Sequence, residues 1–358
     1  MRFIFKTNYR QDVDLFKHNG QRFWFALLLL AMLAAPLVLD SFYLGELTML
    51  CIYAIAGIGL MMLVGYTGLV SLGHAAFLAI GAYAHTIFLT HGLPLPVALV
   101  SASLLSALIG ALVGFPTMRM TGVYLAIATL AFAMIVEHSI VHMDDLTGGF
   151  RGMPVPLPEF LGLDLGTPTA FYFLCLFLLI GSLVLALNIL RSPIGRAMIG
   201  IRDSEISAQS MGIHLARVKA LAFAISAGFT GLAGGLFAHQ LSYLAPDAFT
   251  FLMSIQLLLL VVVGGLGSLH GVVLGAVFVV LLPQAIAIAR DWLPVAIANQ
   301  PGLEPGIFGL ILVLFLIFEP LGLYGRWLKI RNFFEEFPLY RAATHKRQKS
   351  YLRTERLK

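Results

Sequence analysis

Polar side chains that could do chemistry are sparse in this 358-residue chain, which is 59% hydrophobic and only 11% charged. The sequence shows no phosphate-binding P-loop, no cluster of side chains at metal-ligand spacing and no paired nucleophile and base. Its apolar runs contain no set of carboxylates of the kind that relays protons. We therefore expect a protein that is not an enzyme and that binds no metal or cofactor of its own.

The most informative polar stretch is residues 191–219, RSPIGRAMIGIRDSEISAQSMGIHLARVK. Asp203 or Ser204 is suited to cap a helix start, because a short side-chain oxygen accepts a hydrogen bond from a free backbone N–H. Gly212 is suited to end that helix, because glycine adopts a left-handed conformation without steric cost. A helix over 204–211 is only about 12 Å long and marginal alone. It therefore needs a docking surface, either lipid headgroups or a partner protein.

The elements around this stretch are membrane spans. A mean hydropathy of +0.91 and the low charged fraction are typical of an integral membrane protein. The net charge of +5 reflects basic residues beside apolar runs and does not indicate nucleic-acid binding. Cys51 and Cys175 lie within apolar runs, so neither a disulfide framework nor a thiolate metal site is expected.

An apolar helix of about 20 residues crosses a bilayer, and the sequence contains about ten such runs. They predict an all-α polytopic bundle of eight to ten helices, because a lipid-embedded backbone must satisfy its own hydrogen bonds. The third and ninth runs are rich in glycine and are candidates for re-entrant or broken helices. The predicted spans are 23–39, 47–64, 69–89, 95–115, 122–141, 169–190, 220–242, 251–267, 271–289 and 307–323.

Basic residues predict the orientation. Of the 23 lysines and arginines, 21 fall on one side of this arrangement, with only Arg151 and Arg290 opposite. The positive-inside rule then places both termini and the loop 191–219 in the cytosol. The predicted organisation is a cytosolic tail over 1–22, a transmembrane domain over 23–323 and a basic cytosolic tail over 324–358 that lies near anionic lipid or docks a partner.

The one sizeable outer loop spans 142–168 and is acidic, with many glycines and prolines that make turns. It is either a solvated connector or a landing surface or gate for an external partner. The residues that carry the second interpretation are Asp144, Asp145, Thr147, Gly148 and Gly149.

Two glycine-rich stretches, 57–83 and 261–278, carry small residues about one helical turn apart, which lets helices approach closely in lipid. They share a GLxS-like core followed by histidine, which suggests an internal repeat. Glu137 and Glu319 lie near span ends and are interpreted as interfacial; His74 and His270 fit packing roles better than functional ones. The residues predicted to line a translocation path or to pack helices are Gly65, Gly68, Ser71, Gly73, His74, Gly264, Gly265 and Gly267.

Four segments carry a resemblance to known proteins: GYTGLVSLGHAAFLAIGAY at 65–83, GVYLAIATLAFAMIVEH with LTGGFRGM at 122–153, the run 195–240, and LLLVVVGGLGSLHGVVLGAVF at 258–278. They resemble the permease subunits of branched-chain amino acid ABC importers, of the LivM type. The resemblance covers most of the chain between about 47 and 325. It implies the permease fold of such importers, in a bacterial inner membrane.

The resemblance also implies that loop 191–219 engages a separate ATPase subunit. Against the importer pattern EAAxxxG the chain reads ISAQSMG over 206–212, so two positions match while the glutamate is displaced to Glu205. The implied partners are a homologous second permease of the LivH type, two ATPases that bind ATP and magnesium, a periplasmic or extracellular binding protein, and membrane lipid. The residues predicted to couple to the ATPase are Arg202, Asp203, Glu205, Ile206, Ser207, Ala208 and Gly212.

The substrate stays open at this point. Branched-chain amino acids are the leading expectation, and a permease of the same family for urea or another small organic solute is the alternative. An ion-coupled secondary transporter is a rival from another class, and it requires buried ionisable residues that couple ion to substrate. A membrane-embedded enzyme requires convergent polar groups, which the sequence does not show.

Overall fold

A computed structural model describes residues 19–116, 120, 122–160, 163–290, 303–319 and 321–336. This part of the chain is predominantly helical, as expected for apolar segments that satisfy their backbone hydrogen bonds internally. The helices are α1 (Asn19–Val38), α2 (Ser41–Leu60), α3 (His74–Thr90), α4 (Leu95–Gly114), α5 (Val123–His142), α6 (Asp144–Thr147), α7 (Pro168–Arg191), α8 (Pro193–Asp203), α9 (Glu205–Ser210), α10 (Leu215–Leu241), α11 (Phe251–Gly264), α12 (Leu269–Arg290), α13 (Leu303–Phe318) and α14 (Gly322–Glu336).

The described residues include seven helical segments that are long and apolar enough to cross a membrane. Three shorter apolar helices, over Arg22–Val38, His74–Thr90 and Gly306–Phe315, correspond to the remaining predicted spans. The all-α membrane fold is therefore confirmed, whereas a count of ten spans stays a prediction. The seven segments are Ser41–Gly65, Leu95–Gly114, Val123–His142, Pro168–Arg191, Leu215–Leu241, Pro246–Gly264 and Leu269–Ala287.

The two glycine-rich spans behave differently. Helix α12 runs without a break from Leu269 to Arg290 despite Pro283 inside it. Helix α3 has only 17 residues and begins at His74, after a non-helical stretch over 68–73. Of the two predicted spans, 69–89 therefore starts later than expected, and 271–289 is a continuous helix.

Helix α10 lies at the centre of the bundle and packs against α2, α3 and α4. Small residues make this packing possible because the backbones nearly touch. A Cβ on Gly81 would collide with the backbone of Gly231, and one on Gly234 would collide with the carbonyl oxygen of Leu78. Glycine thus sets the distance between α3 and α10, as expected for helices that pack by close contact in lipid.

Helix α2 is exposed at its first turn but is buried on all sides over 54–60, with Ile55 and Ile58 fully enclosed. A helix that is hydrophobic all round belongs in the interior. Its last turn, Met61–Gly65, widens into a π-helix. This turn ends at Gly65, close to the polar loop described below.

Helices extend across several of the predicted boundaries. Helix α1 begins at Asn19, so its first turn lies in what the sequence suggested as the tail over 1–22. Helix α14 occupies Gly322–Glu336, in the predicted basic tail. The loop 191–219 is largely helical, because α7 extends to Arg191, α8 follows at once and α10 begins at Leu215. The N-terminal residues 1–18 and the tail from 337 onward lie outside the described residues.

The loop 142–168, predicted to lie outside, is folded around short strands. Strand β1 (Met153–Pro154) pairs antiparallel with β4 (Tyr243–Leu244), and β2 (Glu159–Phe160) pairs with β3 (Leu163–Asp164). The first pair ties the loop to the connection between α10 and α11. In addition, the Tyr243 hydroxyl donates a hydrogen bond to the Arg151 carbonyl oxygen at 2.5 Å. The loop 142–168 is therefore anchored to the bundle at two places.

Candidate functional site

Two consecutive capped helices make up the polar loop. Ser192 precedes α8, and its side chain accepts a hydrogen bond from the Gly195 amide at 3.4 Å. Ser204 adopts an extended conformation that ends α8, and its side chain accepts from the Ser207 amide at 3.2 Å to start α9. The prediction of a helix capped by Ser204 is confirmed, and Asp203 is instead the last residue of α8. The sequence interpretation did not include α8.

Gly212 ends this helical pair as expected. Its φ is +82°, and no heavy atom lies within 4 Å of where a Cβ would stand. Two hydrogen bonds close the turn, from the Gly212 amide to the Gln209 carbonyl oxygen and from the Ile213 amide to the Ala208 carbonyl oxygen. A left-handed residue with such bonds is a standard helix C-cap. Glycine is therefore needed here only because of its positive φ, and not because a side chain would lack space.

Helix α9 has one buried and one exposed side. Ala208 is buried, whereas Ile206 and Met211 are 81% and 83% exposed. Ser207 is also exposed. Two large apolar side chains, Ile206 on α9 and Met211 just after it, thus project from the polar loop and are free to be buried against another molecule.

Glu205 is committed to an ion pair within this chain. Its Oε1 lies 2.8 Å from Nζ of Lys219, whose side chain is 1% exposed. The pair ties the first turn of α9 to the first turns of α10. A buried lysine without a partner is costly, so Glu205 holds α9 in place. Its predicted part in coupling to an ATPase is therefore one of positioning α9.

Arg202 joins the polar loop to the rest of the bundle. Its Nη1 donates to the Gly65 carbonyl oxygen at 3.0 Å, at the end of α2, and its Nε and Nη2 donate to Asp203 Oδ1. A Cβ placed on Gly68 would lie 3.1 Å from Arg202 Cγ, and one placed on Gly267 would lie 3.2 Å from its Nη1. The side chain therefore lies between two glycine turns. Residues predicted for ATPase coupling and residues predicted for the path or packing meet here.

Those two turns are the segments that suggested an internal repeat. In the first, Ser71 accepts hydrogen bonds from the Gly73 amide and contacts the His74 ring at 3.1 Å. In the second, Ser268 accepts from the Gly271 amide at 3.2 Å. Each GLxS sequence thus leads into a helix, α3 or α12, and its serine bonds near the helix start. The shared sequence has a shared local structure on both sides of Arg202.

His74 is fully buried. Its Nε2 lies 2.7 Å from Ser226 Oγ on α10, and its Nδ1 faces Ser71. The preceding Gly73 is required by close approach, because a Cβ there would collide with the Thr129 carbonyl oxygen. His270 lies against Tyr324 with stacked rings. Both histidines therefore join helices.

The other predicted glycines set close contacts. A Cβ on Gly264 would collide with the Gly271 carbonyl oxygen, where α11 turns back into α12. Gly265 has a φ of +119° and faces the Leu321 carbonyl oxygen, next to α14. Glu319 lies just past α13 and contacts Arg326 at 2.5 Å. Its interfacial role stays a prediction.

In the outer loop the five predicted residues divide into two groups. Asp144 and Asp145 are exposed on α6, whereas Thr147 and Gly149 are buried. The Thr147 hydroxyl lies 2.6 Å from the Ile140 carbonyl oxygen and 2.8 Å from that of Met143. Gly148 caps α6 with a φ of +74°. The two aspartates can therefore contact another molecule, while the other three residues shape the turn.

One polar site was missed by the sequence interpretation. Glu46 lies in α2 and accepts a hydrogen bond from Gln284 Nε2 at 3.0 Å, beside a cavity of about 430 Å³. The predicted span began at residue 47 and so excluded this carboxylate from the charges within the membrane. Helix α2 begins at Ser41. The apolar run from that position could have shown from the sequence that Glu46 lies inside a span.

These features are those of a polytopic membrane protein: long apolar helices, a cavity between several of them and a capped, exposed polar loop. Residues 42–316 match the family model described as branched-chain amino acid transport system / permease component. The match covers more than half of the chain, which therefore belongs to this family.

Curated relatives agree with this assignment. The chain is 35% identical over 329 residues to the high-affinity branched-chain amino acid transport system permease protein LivM of Salmonella typhimurium, covering 85% of this chain and 75% of the relative. It is 34% identical over 341 residues to the protein of the same name from Escherichia coli, covering 87% and 77%. It is 23% identical over 291 residues to the autoinducer 2 import system permease protein LsrC of Salmonella paratyphi B, covering 77% and 81%. No solved structure matches the chain significantly.

Family and fold together establish the class. The chain is a transport permease and a multi-pass protein of the inner membrane, as the sequence predicted. Transport permeases of this family are not enzymes.

Proposed function

We propose that this chain is the transmembrane subunit of an ATP-driven importer for branched-chain or related amino acids. The observation that carries the proposal is α9, a capped helix that presents Ile206 and Met211 away from the bundle. A short apolar surface on an otherwise polar loop is suited to the groove of a partner protein. Family membership and the two LivM relatives support the substrate class.

The partner at this surface is a separate ATPase subunit that binds ATP and magnesium. The loop is attached to the bundle in two ways that suit it to transmit motion. Glu205 pairs with Lys219 at the start of α10, and Arg202 donates to Gly65 at the end of α2. A displacement of α8 and α9 therefore moves the glycine turns that lead into α3 and α12. Arg202 connects docking to the glycine turns, and Glu205 connects it to α10.

The complete importer contains a homologous second permease of the LivH type, two ATPases and a periplasmic or extracellular binding protein. Co-expression of these subunits with an affinity-tagged copy of this chain tests the proposal. The ATPase should co-purify, and cells should accumulate labelled L-leucine only when every subunit is present. Stable membrane expression without ATPase recovery or leucine uptake would reject it.

The topology is part of the proposal: ten spans, with both termini and α8–α9 in the cytosol. We expect a single cysteine at Phe150 to react with an impermeant thiol reagent in intact cells, and one at Gln209 only after permeabilisation. Both positions are exposed, and the native Cys51 and Cys175, which are buried, are first replaced by alanine. Labelling is measured on gels. Reaction of the cysteine at 209 from outside would reverse the assigned orientation.

The outer loop is proposed as the landing surface for the binding protein through Asp144 and Asp145. Changing both to lysine should lower uptake several-fold at low salt and much less at high salt, because exposed charges are screened over about 8 Å at physiological ionic strength. Initial uptake rates at two salt concentrations measure the effect. An Asp40→Lys variant, on the exposed turn before α2, is the matched control. Salt-independent uptake in the double variant would reject these charges as the contact.

A related solute is the second candidate substrate. The observation that favours it is the similarity to LsrC, whose name describes autoinducer 2 import. Competition decides between the two. Excess unlabelled isoleucine or valine should suppress leucine uptake, whereas a permease for another solute gives no leucine uptake to suppress.

A further inference from the structure

A cavity of about 430 Å³ lies between the outer halves of α2, α10, α11 and α12, and its volume falls in the range of small-molecule sites. We propose that this cavity is a binding site for the solute on its way through the membrane, in which the Glu46 carboxylate binds the ammonium group of an amino acid. The proposal rests on the function proposed above and names the site within this chain that receives the substrate.

The carboxylate is placed to bind a cation. Glu46 lies in the first turns of α2 and accepts one hydrogen bond, from Gln284 Nε2 to Oε1 at 3.0 Å. Among the described residues no lysine, arginine or histidine lies within ion-pair distance of it. A carboxylate within a membrane span is costly, which makes it a candidate for a functional site. Its second oxygen, Oε2, accepts no hydrogen bond from the described part of the chain.

Two more polar groups face the same space. Gln240, near the end of α10, and Gln256 on α11 both line the cavity. Their side-chain amides form no hydrogen bond with any residue that the structure describes. Both residues are partly exposed. Amides of this kind donate to a carboxylate and accept from an ammonium group. Together with Glu46 they match both charged groups of a zwitterionic amino acid.

Much of the remaining lining is apolar. Met49 on α2, Val280 on α12 and Phe308 on α13 line the same cavity as these polar groups. A ligand that carries both charged groups and a branched hydrocarbon fits this mixed lining. A neutral polar solute such as urea leaves the apolar wall unused.

Thiol protection in the assembled importer tests the proposal. In a chain with Cys51 and Cys175 replaced by alanine, Met49→Cys places a reporter in the cavity wall, and the complex is held in lipid nanodiscs without nucleotide. L-leucine should slow modification of this cysteine about tenfold or more, as expected for a charge-assisted contact. The 2-hydroxy acid with the same carbon skeleton lacks the ammonium group and should not protect. A cysteine at Phe150 should react equally with and without leucine.

Two variants separate ligand binding from a merely structural hydrogen bond. Glu46→Gln removes the charge but keeps a partner for Gln284, whereas Gln284→Leu removes that partner and keeps the charge. We expect Glu46→Gln to abolish protection by leucine and Gln284→Leu to preserve most of it. If the bond only holds α2 to α12, the order is reversed, and that result overturns the proposal.

Leucine uptake by the same cells distinguishes failure of this binding site from failure of the proposed function. Intact uptake with no protection at position 49 rejects this site and leaves the proposed function standing. Absence of leucine uptake by the unmodified chain with all its partners rejects the proposed function itself. Protection that requires Glu46, in a chain that takes up leucine, supports both.

Discussion

Replacing Glu205 by lysine is expected to lower leucine uptake at least tenfold while the protein still reaches the membrane. The change puts a second ammonium group beside Lys219, which is 1% exposed and loses its partner. Removing one member of a buried pair costs about 3–5 kcal/mol. Since the Glu205 side chain is 36% exposed, solvent screens part of that, and about 1–3 kcal/mol is the fitting magnitude here. That free energy is enough to move α9 without unfolding the bundle.

The measurement pairs initial uptake rates with recovery of the ATPase on the tagged permease, at equal membrane levels. Lys219→Met is the comparison variant: it also breaks the ion pair but leaves no buried charge unpaired, so it should lower uptake less than Glu205→Lys does. The exchange of both charges, Glu205→Lys with Lys219→Glu, should restore a substantial part of uptake. Normal uptake in the Glu205→Lys protein would show that the ion pair does not hold α9.

Replacing Gly212 by valine is the second change with a large expected effect. Its φ of +82° is a conformation that a β-branched residue adopts only with strain, of about 1–3 kcal/mol. The space around the position is open, so the cost is purely one of backbone conformation. The chain is expected to relieve it by unwinding the end of α9. Met211 is 83% exposed and next to this turn, so it then leaves the docking surface.

We expect normal membrane levels, weak recovery of the ATPase and loss of both uptake and ligand-stimulated ATP hydrolysis. Gly212→Asn should be tolerated better, since asparagine enters the left-handed region more readily. Gly92→Val is a matched control, because Gly92 has a φ of +84° and equally open surroundings but lies in the turn between α3 and α4. Intact coupling in the Gly212→Val protein would reduce the loop to a connector.

Local features of the fold followed from the sequence because their causes are local. The spans could be predicted since a window of about 20 apolar residues is itself the physical requirement for crossing a bilayer. The caps at Ser204 and Gly212 could be predicted since each depends on one side chain and its own backbone. The helix α8 was missed because its basic residues and Pro193 were interpreted as loop signals, although proline is well tolerated in a first helical turn.

The proposed sites depend on contacts between distant positions. Glu46 meets Gln284 across 238 residues, and Arg202 meets Gly65 across 137. Membrane helices are apolar on both their lipid-facing and protein-facing sides, so hydropathy does not reveal which side is buried. The sequence therefore did not show that Lys219 is buried, and this lysine was interpreted only as a signal of orientation.

By itself, therefore, the sequence determined that this is a polytopic helical permease, where its helices lie approximately and how its polar loop begins and ends α9. Only the tertiary structure decided that Arg202 lies between the two glycine turns, that Glu205 is paired with Lys219 and that Glu46 faces a cavity. The physical reason is that hydropathy and capping act over neighbouring residues. Burial and pairing of a charge are decided by which helices the whole bundle brings together.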